Sequence, residues 1–273
     1  MEYLERSLGN KAKKLRREII QMAFKGHGIH LSSCLSIADI LVVLYWNILK
    51  IKPKNPDYPK RDRFILSKGH AASALYAILA QKGFFPKKIL ETYGQEGTLL
   101  GAHPEYKTLP GIELSTGSSG HGLSVGIGMA LAAKLNSYPS RIFVLLSDGE
   151  CDEGSVWEAA LFAGHHCLDN LVVIVDYNKF QAFGKIKEVI DLEPFVNKWR
   201  SFGWVTKEID GHNLKQLQKT FNSVPLLKNK PTAIIAHTIA GKGVSFIENK
   251  IEWHYFNLSD EQYKKAIKEL NKQ

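Results

Sequence analysis

Four short apolar runs constrain this chain more than any other feature: Arg63-Phe64-Ile65-Leu66, Ile142-Phe143-Val144-Leu145-Leu146, Leu171-Val172-Val173-Ile174-Val175 and Thr232-Ala233-Ile234-Ile235-Ala236. None of them alternates apolar with polar residues, so each suits a strand buried on both faces. Around them, apolar residues recur at spacings of three and four over 8–27, 36–49, 70–82, 122–135, 154–167, 214–223 and 259–270, the period of helices. Strands alternating with helices imply an α/β fold, a parallel β-sheet covered by helices on both faces. No repeat, low-complexity tract or Gly/Ser linker divides the sequence, so 1–273 reads as a single domain. Ligands of such sheets sit at the carboxyl ends of the strands. The residues straight after Leu146, Val175 and Ala236 are therefore the first places to look. Segments 50–62 and 94–116 lack periodicity and read as long loops, which in compact domains are often functional.

Charge narrows the partners. Lys and Arg number 36 against 27 Asp and Glu, a formal net charge of +9. Leu4, Leu8, Ala12, Leu15 and Ile19 are spaced as one helix face, which leaves Lys11, Lys13, Lys14, Arg16 and Arg17 as its polar face. A second basic cluster is Lys50, Lys52, Lys54, Lys60 and Arg61. No nucleic-acid-binding motif accompanies either cluster, so a nucleic-acid partner is not expected. A basic rim drawing in an anionic small substrate fits better. The best apolar stretch, 37–49, contains Asp39 and Asn47 and is too short to span a bilayer. The start of the chain, Met1-Glu2-Tyr3-Leu4-Glu5-Arg6, carries acidic residues and no apolar core of a signal peptide. Cys34, Cys151 and Cys167 are odd in number and lack metal-type spacing, which fits a reducing compartment. These observations predict a cytoplasmic protein with no membrane association.

The chemistry is concentrated after the second and third runs. After Leu146 the chain reads Ser147-Asp148-Gly149-Glu150-Cys151-Asp152-Glu153-Gly154, and after Val175 it reads Asp176-Tyr177-Asn178-Lys179-Phe180. If the two strands are adjacent and parallel, Asp148 and Asn178 lie a helix apart in sequence but close in space. Hard oxygen ligands of this kind suit Mg²⁺, commonly held by one or two protein groups together with phosphate oxygens. Gly149 lets backbone approach a phosphate, and the following helix offers free N–H groups to an anion. An Asp-Gly pair alone fits an ordinary strand-to-helix turn with an Asp cap. The two strand ends together point to a metal.

A strand ending in Gly-Asp-Gly, then about thirty residues, then Asn is the thiamine diphosphate and Mg²⁺ motif. The version Ser-Asp-Gly-Glu-Cys-Asp-Glu-Gly-Ser-Val-Trp-Glu-Ala-Ala resembles transketolases. So do Arg61-Asp62-Arg63-Phe64-Ile65-Leu66-Ser67-Lys68-Gly69-His70, Gly101-Ala102-His103-Pro104-Glu105 and Gly111-Ile112-Glu113-Leu114-Ser115-Thr116-Gly117. The resemblance runs from about residue 15 to the last residue and covers the diphosphate-binding (PP) domain, which in split transketolases is a separate N-terminal subunit. It implies that Asp148, Asn178 and the backbone carbonyl of Phe180 ligate Mg²⁺, with Ca²⁺ or Mn²⁺ as substitutes. It implies cofactor contacts from Gly117, Ser119, Asp148, Gly149, Glu150 and Asn178. His70 and His254 match histidines near the diphosphate and reacting centre, and His103 matches the one on the donor's terminal hydroxyl. His30, placed by the Leu35-Ser36-x-Ala38-Asp39 that follows, matches a further family histidine. Glu153 and Glu158 match glutamates of a network between subunits. The activating glutamate of the family lies on the pyrimidine (PYR) domain, so the resemblance implies a PYR-domain and C-terminal partner subunit, in a heterotetramer. The reaction implied is transfer of a two-carbon ketol unit from a ketose (phosphate) donor to an aldose acceptor, with the cofactor as electron sink.

Histidines without motif context, His27, His165, His166, His212 and His237, read as surface or core residues. His121 fits either a cofactor contact or a helix start. Several positions depart from the family pattern. Ser147 stands for the first Gly of Gly-Asp-Gly, and Ser119 and Ala182 replace larger apolar residues. Phe183 replaces an Asp before Gly184, Gly28 and Leu31-Ser32-Ser33 alter the Ser-Gly-His-x-Gly-Gly pattern, and Tyr255-Phe256 follows His254 in place of Gly. These departures favour a specialised sugar pathway over housekeeping transfer. Two other readings stay open on the residues alone: another thiamine diphosphate synthase, of deoxyxylulose-phosphate or 2-oxoacid type, and a non-catalytic cofactor-binding scaffold.

Overall fold

The computed structural model describes residues 2–28 and 30–272, without the side chains of residues 2–4. Ile29, within the His30 motif, and the side chain of Leu4 lie outside the described residues. The strands are β1 (Arg63–Leu66), β2 (Ile142–Ser147), β3 (Leu171–Tyr177), β4 (Phe180–Gln181), β5 (Gly184–Lys185), β6 (Val205–Asp210) and β7 (Thr232–His237). The helices are α1 (Glu2–Lys25), α2 (Leu31–Ser36), α3 (Ala38–Val43), α4 (Ala72–Lys82), α5 (His121–Leu135), α6 (Gly154–His165), α7 (Ile186–Val189), α8 (Phe195–Ser201), α9 (Leu214–Asn222) and α10 (Asp260–Lys272). Five strands form one parallel sheet in the order β1-β2-β3-β7-β6, and β4 and β5 form a separate antiparallel hairpin.

Successive residues of the central strands point to opposite faces, and both faces are covered. Phe64, Leu66, Phe143, Leu145, Val172 and Ile174 pack on one side with the apolar residues of α1 to α4, α9 and α10. Ile65, Val144, Leu146, Val173, Val175 and Ile235 pack on the other with α5, α6 and α8. This is why the strands read as continuous apolar runs, and the α/β expectation holds.

The differences from the sequence reading have physical causes. Strand β6 had no strand signal because this edge of the sheet is not covered like β1, the other edge: Thr206 and Lys207 are only partly covered and Glu208 is exposed. The helix expected over 36–49 divides into α2, which begins five residues earlier, and α3, with a π turn over Leu44–Ile48. Arg16 and Arg61 leave the solvated basic faces assigned to them. Arg16 is buried against Asp39, with Nη2 at 2.6 Å from Oδ2, and Arg61 is buried against Glu113 at 2.9 Å. Burial of these two guanidiniums is tolerable because each is matched to a carboxylate. The loops 50–62 and 94–116 contain no regular helix or strand, as their lack of period implied. Among the described residues no helix is long and apolar enough to cross a membrane. Cys34, Cys151 and Cys167 are free thiols.

Candidate active site

The carboxyl ends of β1, β2, β3 and β7 converge, and each delivers polar residues to one place. At its centre Lys68, two residues past β1, donates from Nζ to Asp176 Oδ2 at 2.5 Å, with both side chains fully buried. Asp176, inside β3, also accepts from Ser36 Oγ (2.7 Å), from Asn178 Nδ2 (3.1 Å) and from the hydroxyl of Thr238, just past β7. Burial pushes the Asp176 carboxyl up, but Lys68 and the hydroxyl donors outweigh it and hold the carboxyl below its ordinary range. The pair fixes the ends of β1, β3 and β7 relative to one another. Sequence reading missed Lys68, Asp176, Ser36 and Thr238 as a unit, although all but Thr238 stood in or beside the motifs.

Asp148 follows β2 and is fully buried. Its Oδ1 accepts from the N–H of Gly149 (2.9 Å) and its Oδ2 from the N–H of Lys179 (2.5 Å), which ties the β2 turn to the segment after β3. Burial, then the neighbouring Asp176, push its carboxyl up to about 8. Among the described residues no cationic side chain pairs with it, because Lys68 is committed to Asp176. Asn178 Oδ1 accepts from the N–H of Phe180 (2.9 Å). Gly149 has no room for a side chain: a Cβ there would lie 2.6 Å from Cβ of Gln181. Glu150 is buried, and burial raises its carboxyl. It accepts from Ser67 Oγ (2.5 Å), Gly120 N (2.8 Å) and Ser147 N (3.3 Å), so it clamps the starts of three neighbouring turns.

The histidines form the opposite wall. Ring centroids of His30 and His254 are 4.5 Å apart, those of His30 and His70 5.3 Å, and those of His70 and His254 5.4 Å. His103 stands farther out, 6.4 Å from His30, on an exposed loop. Gly117 lies beneath it, since a Cβ there would come within 3.2 Å of the His103 ring. Burial, then the nearby histidines, lower His30 to about 4, and burial, then Lys68, lower His254 to about 4. Burial, then Lys68, hold His70 well below its ordinary value. His70 Nε2 is 2.8 Å from Ser33 Oγ, and the buried Nδ1 of His30 has no hydrogen-bond partner among the described residues.

Between these walls lies a cavity of about 230 Å³. Of the residues predicted from sequence, His70, Ser119, Gly149, Glu150, Glu153, Asn178, Phe180 and His254 line it. Asp148 lies behind its floor, and His30, His103 and Gly117 adjoin it without being among its lining residues. Glu153 is exposed at its rim, and Glu158 is exposed on α6. Ser32, Ser33, Ser147, Ala182 and Phe183, noted in the sequence as departures from the family pattern, line it too, as do Gln181 and Ala240, which were not singled out from sequence. His121 opens α5 with Nδ1 3.0 Å from Ser119 O and lies outside the cavity. His212 is a core residue held by Asp39 Oδ2 (2.8 Å) and the N–H of Ile239 (2.9 Å), while His165 and His166 are exposed.

The family profile described as "Transketolase, thiamine diphosphate binding domain" matches residues 5–272. The chain is 45% identical over 244 residues to the 6-deoxy-6-sulfo-D-fructose transketolase subunit SqwG of Clostridium sp. (strain MSTE9), covering 89% of each. It is 40% identical over 260 residues to an apulose-4-phosphate transketolase subunit of Phocaeicola vulgatus, covering 95% of this chain and 92% of that one. Among solved structures, the transketolase of Campylobacter jejuni superposes with a TM-score of 0.91 at 31% identity, over 97% of this chain and 42% of that one. The transketolase of Leishmania mexicana does so with the same score at 27% identity. This chain therefore spans about two fifths of the length of those solved transketolases. With its profile matched from residue 5 to residue 272, the chain belongs to the transketolase family, as a thiamine diphosphate binding domain.

Proposed function

We propose that this chain is the cofactor-binding subunit of a two-component transketolase that moves a two-carbon ketol unit from a ketose or ketose phosphate to an aldose. One observation carries the reading: a cavity at the strand ends with the buried carboxyl of Asp148, which has no cationic partner among the described residues, behind its floor, and the closely packed rings of His70, His254 and the adjoining His30 on the opposite side. The 273 residues act as one domain in it. A partner subunit is supported by the relatives named as subunits, which are close to this chain in length. Leu161 and Phe162 on α6 and Val125 on α5 add support, since they are exposed apolar residues on the neighbouring helices that also carry Glu158. We assign that partner the PYR and C-terminal domains, the complex a heterotetrameric form and the cytoplasm as its place.

The residues present fit the cofactor and its metal. Asp148 is a buried carboxyl with no cationic partner among the described residues, pushed up to about 8 by burial and the neighbouring Asp176, and Asn178 Oδ1 and the carbonyl of Phe180 are neutral oxygens on the adjoining strand end. A divalent ion, Mg²⁺ in this reading, would be held by these three groups, displacing the proton of Asp148 and compensating the charge of the carboxylate so formed. Gly149 keeps the floor open to a diphosphate, and Ser119, Glu150 and Gly117 flank it. Thiamine diphosphate, when bound, supplies the electron sink for carbon–carbon cleavage. The protein's part is proton handling and orientation. His30 and His254, near 4, are neutral at physiological pH and free to accept or share a proton with a sugar hydroxyl. Ser33 fixes the ring of His70, and His103 at the outer edge is placed to meet the far end of a donor. Glu153 at the rim faces the partner side. The relatives are named for 6-deoxy-6-sulfo-D-fructose and apulose 4-phosphate, which supports a specialised sugar pathway here.

The test is reconstitution. The chain is mixed with a PYR-domain transketolase subunit, and ketol transfer is followed over a panel of ketose donors with Mg²⁺ and thiamine diphosphate. Transfer only by the pair supports the reading. Transfer by neither, with a stable complex formed, refutes it in favour of a scaffold.

A further inference from the structure

Tyr255 joins the two walls of the cavity. Its hydroxyl donates to the carbonyl of Ala182, at the tip of the β4–β5 hairpin, at 2.8 Å. Its ring stands edge-on to His254, with centroids 5.0 Å apart, and the carbonyl of His254 accepts from the N–H of His30 at 3.0 Å. A continuous line of contacts thus runs from the histidine wall through Tyr255 to the hairpin. The hairpin needs such support. Its strands are two residues each, and a ribbon that short is not stable alone. Its base is closed by the N–H of Ile186 donating to Lys179 O (3.0 Å). Beside the turn Gln181, paired with Gly184, is tied by its side chain, Nε2 donating to Asp152 Oδ2 (2.8 Å), which leaves the turn residues Ala182 and Phe183 to Tyr255. Its tip is not held by burial, because Phe183 is 84% exposed. Yet Phe180, Gln181 and Ala182 all line the cavity.

We propose that Tyr255 is a positioning residue for the cofactor: it pins the hairpin tip so that the strand carrying Phe180, Gln181 and Ala182 stays in place as a cavity wall. The functional half of this inference rests on the reading of the cavity given above, while the pinning itself does not. Tyr255→Phe keeps the ring against His254 and removes only the hydroxyl. Net hydrogen-bond contributions of the usual size correspond to roughly a two- to tenfold effect. Hydrogen exchange on the unliganded full chain is expected to speed up about two- to tenfold over 180–186 alone, with Tm unchanged. Titration with thiamine diphosphate and Mg²⁺ is expected to show a dissociation constant raised by a similar factor. Unchanged exchange over 180–186 overturns the pinning. Faster exchange throughout the chain with a lowered Tm makes Tyr255 a general stabiliser and overturns it too. Faster local exchange with unaltered cofactor affinity overturns the positioning role. If the wild-type chain takes up no cofactor even with its partner subunit present, the reading of the cavity fails, and the exchange comparison still decides the pinning.

Discussion

Replacing Lys68 by methionine keeps the length of a side chain that is fully buried and removes the cation bound to Asp176 at 2.5 Å. Asp176 would keep three partners, Ser36, Thr238 and Asn178, all of them neutral. Breaking one side of a buried ion pair costs about 3–5 kcal/mol, because the other charge is stranded. Against a typical domain stability of roughly 5–15 kcal/mol this is severe, and at about 2–4 °C per kcal/mol it lowers Tm by roughly 6–20 °C. Urea unfolding followed by circular dichroism measures it directly. The pH dependence separates this cause from a mere packing loss. In the wild type the Asp176 carboxyl is held low, so its contribution is present above the unfolded value, about 4, and is lost as pH falls below it. Without Lys68, burial acts unopposed and raises the carboxyl. The variant is then most stable in acid and loses stability as pH rises through the new value. The double variant K68M/D176N strands no charge and is expected to recover at least about 2 kcal/mol relative to the sum of the single changes. A single-variant loss under about 1 kcal/mol, or strict additivity, refutes the reasoning.

Two further outcomes follow from the site's geometry. His30 and His254 are held near 4 when folded but titrate near 6.5 when unfolded, so unfolding takes up protons between those values. Stability should therefore fall as pH is lowered from about 6.5 toward 4, with a slope of up to about 1.4 kcal/mol per unit for each ring, and His254→Asn should reduce that slope in urea titrations. Gly149→Ala places a Cβ against Gln181 at 2.6 Å and should displace the hairpin, read as faster hydrogen exchange over 180–186 with the core strands unaffected.

The fold was legible wherever burial was two-sided. β1, β2, β3 and β7 lie under helices on both faces, so their residues are apolar without interruption and announce themselves. Strand β6 is a half-covered edge, so Lys207 and Glu208 broke the pattern that would have revealed it. The floor of the site was legible for a related reason: Asp148 and Asn178 each follow a strand, and adjacency of β2 and β3 brings them together. Lys68 and Asp176 were not legible as a pair. Nothing local says that a lysine past β1 is buried against a carboxylate 108 residues away in β3. The same holds for Arg16, whose helical spacing placed it among solvated lysines while its guanidinium turns inward to Asp39. Tyr255 and Ala182 each stood out in sequence as departures, and only the structure brings them into contact.

The most direct measurement is calorimetric titration of the chain, in complex with its PYR-domain partner, with thiamine diphosphate in Mg²⁺, in EDTA, and in the Asp148→Ala variant. Saturable binding in Mg²⁺ that is lost in EDTA and lost in D148A is the predicted result. Binding that survives EDTA, or that D148A leaves intact, contradicts the assignment of this cavity as a metal-dependent cofactor site.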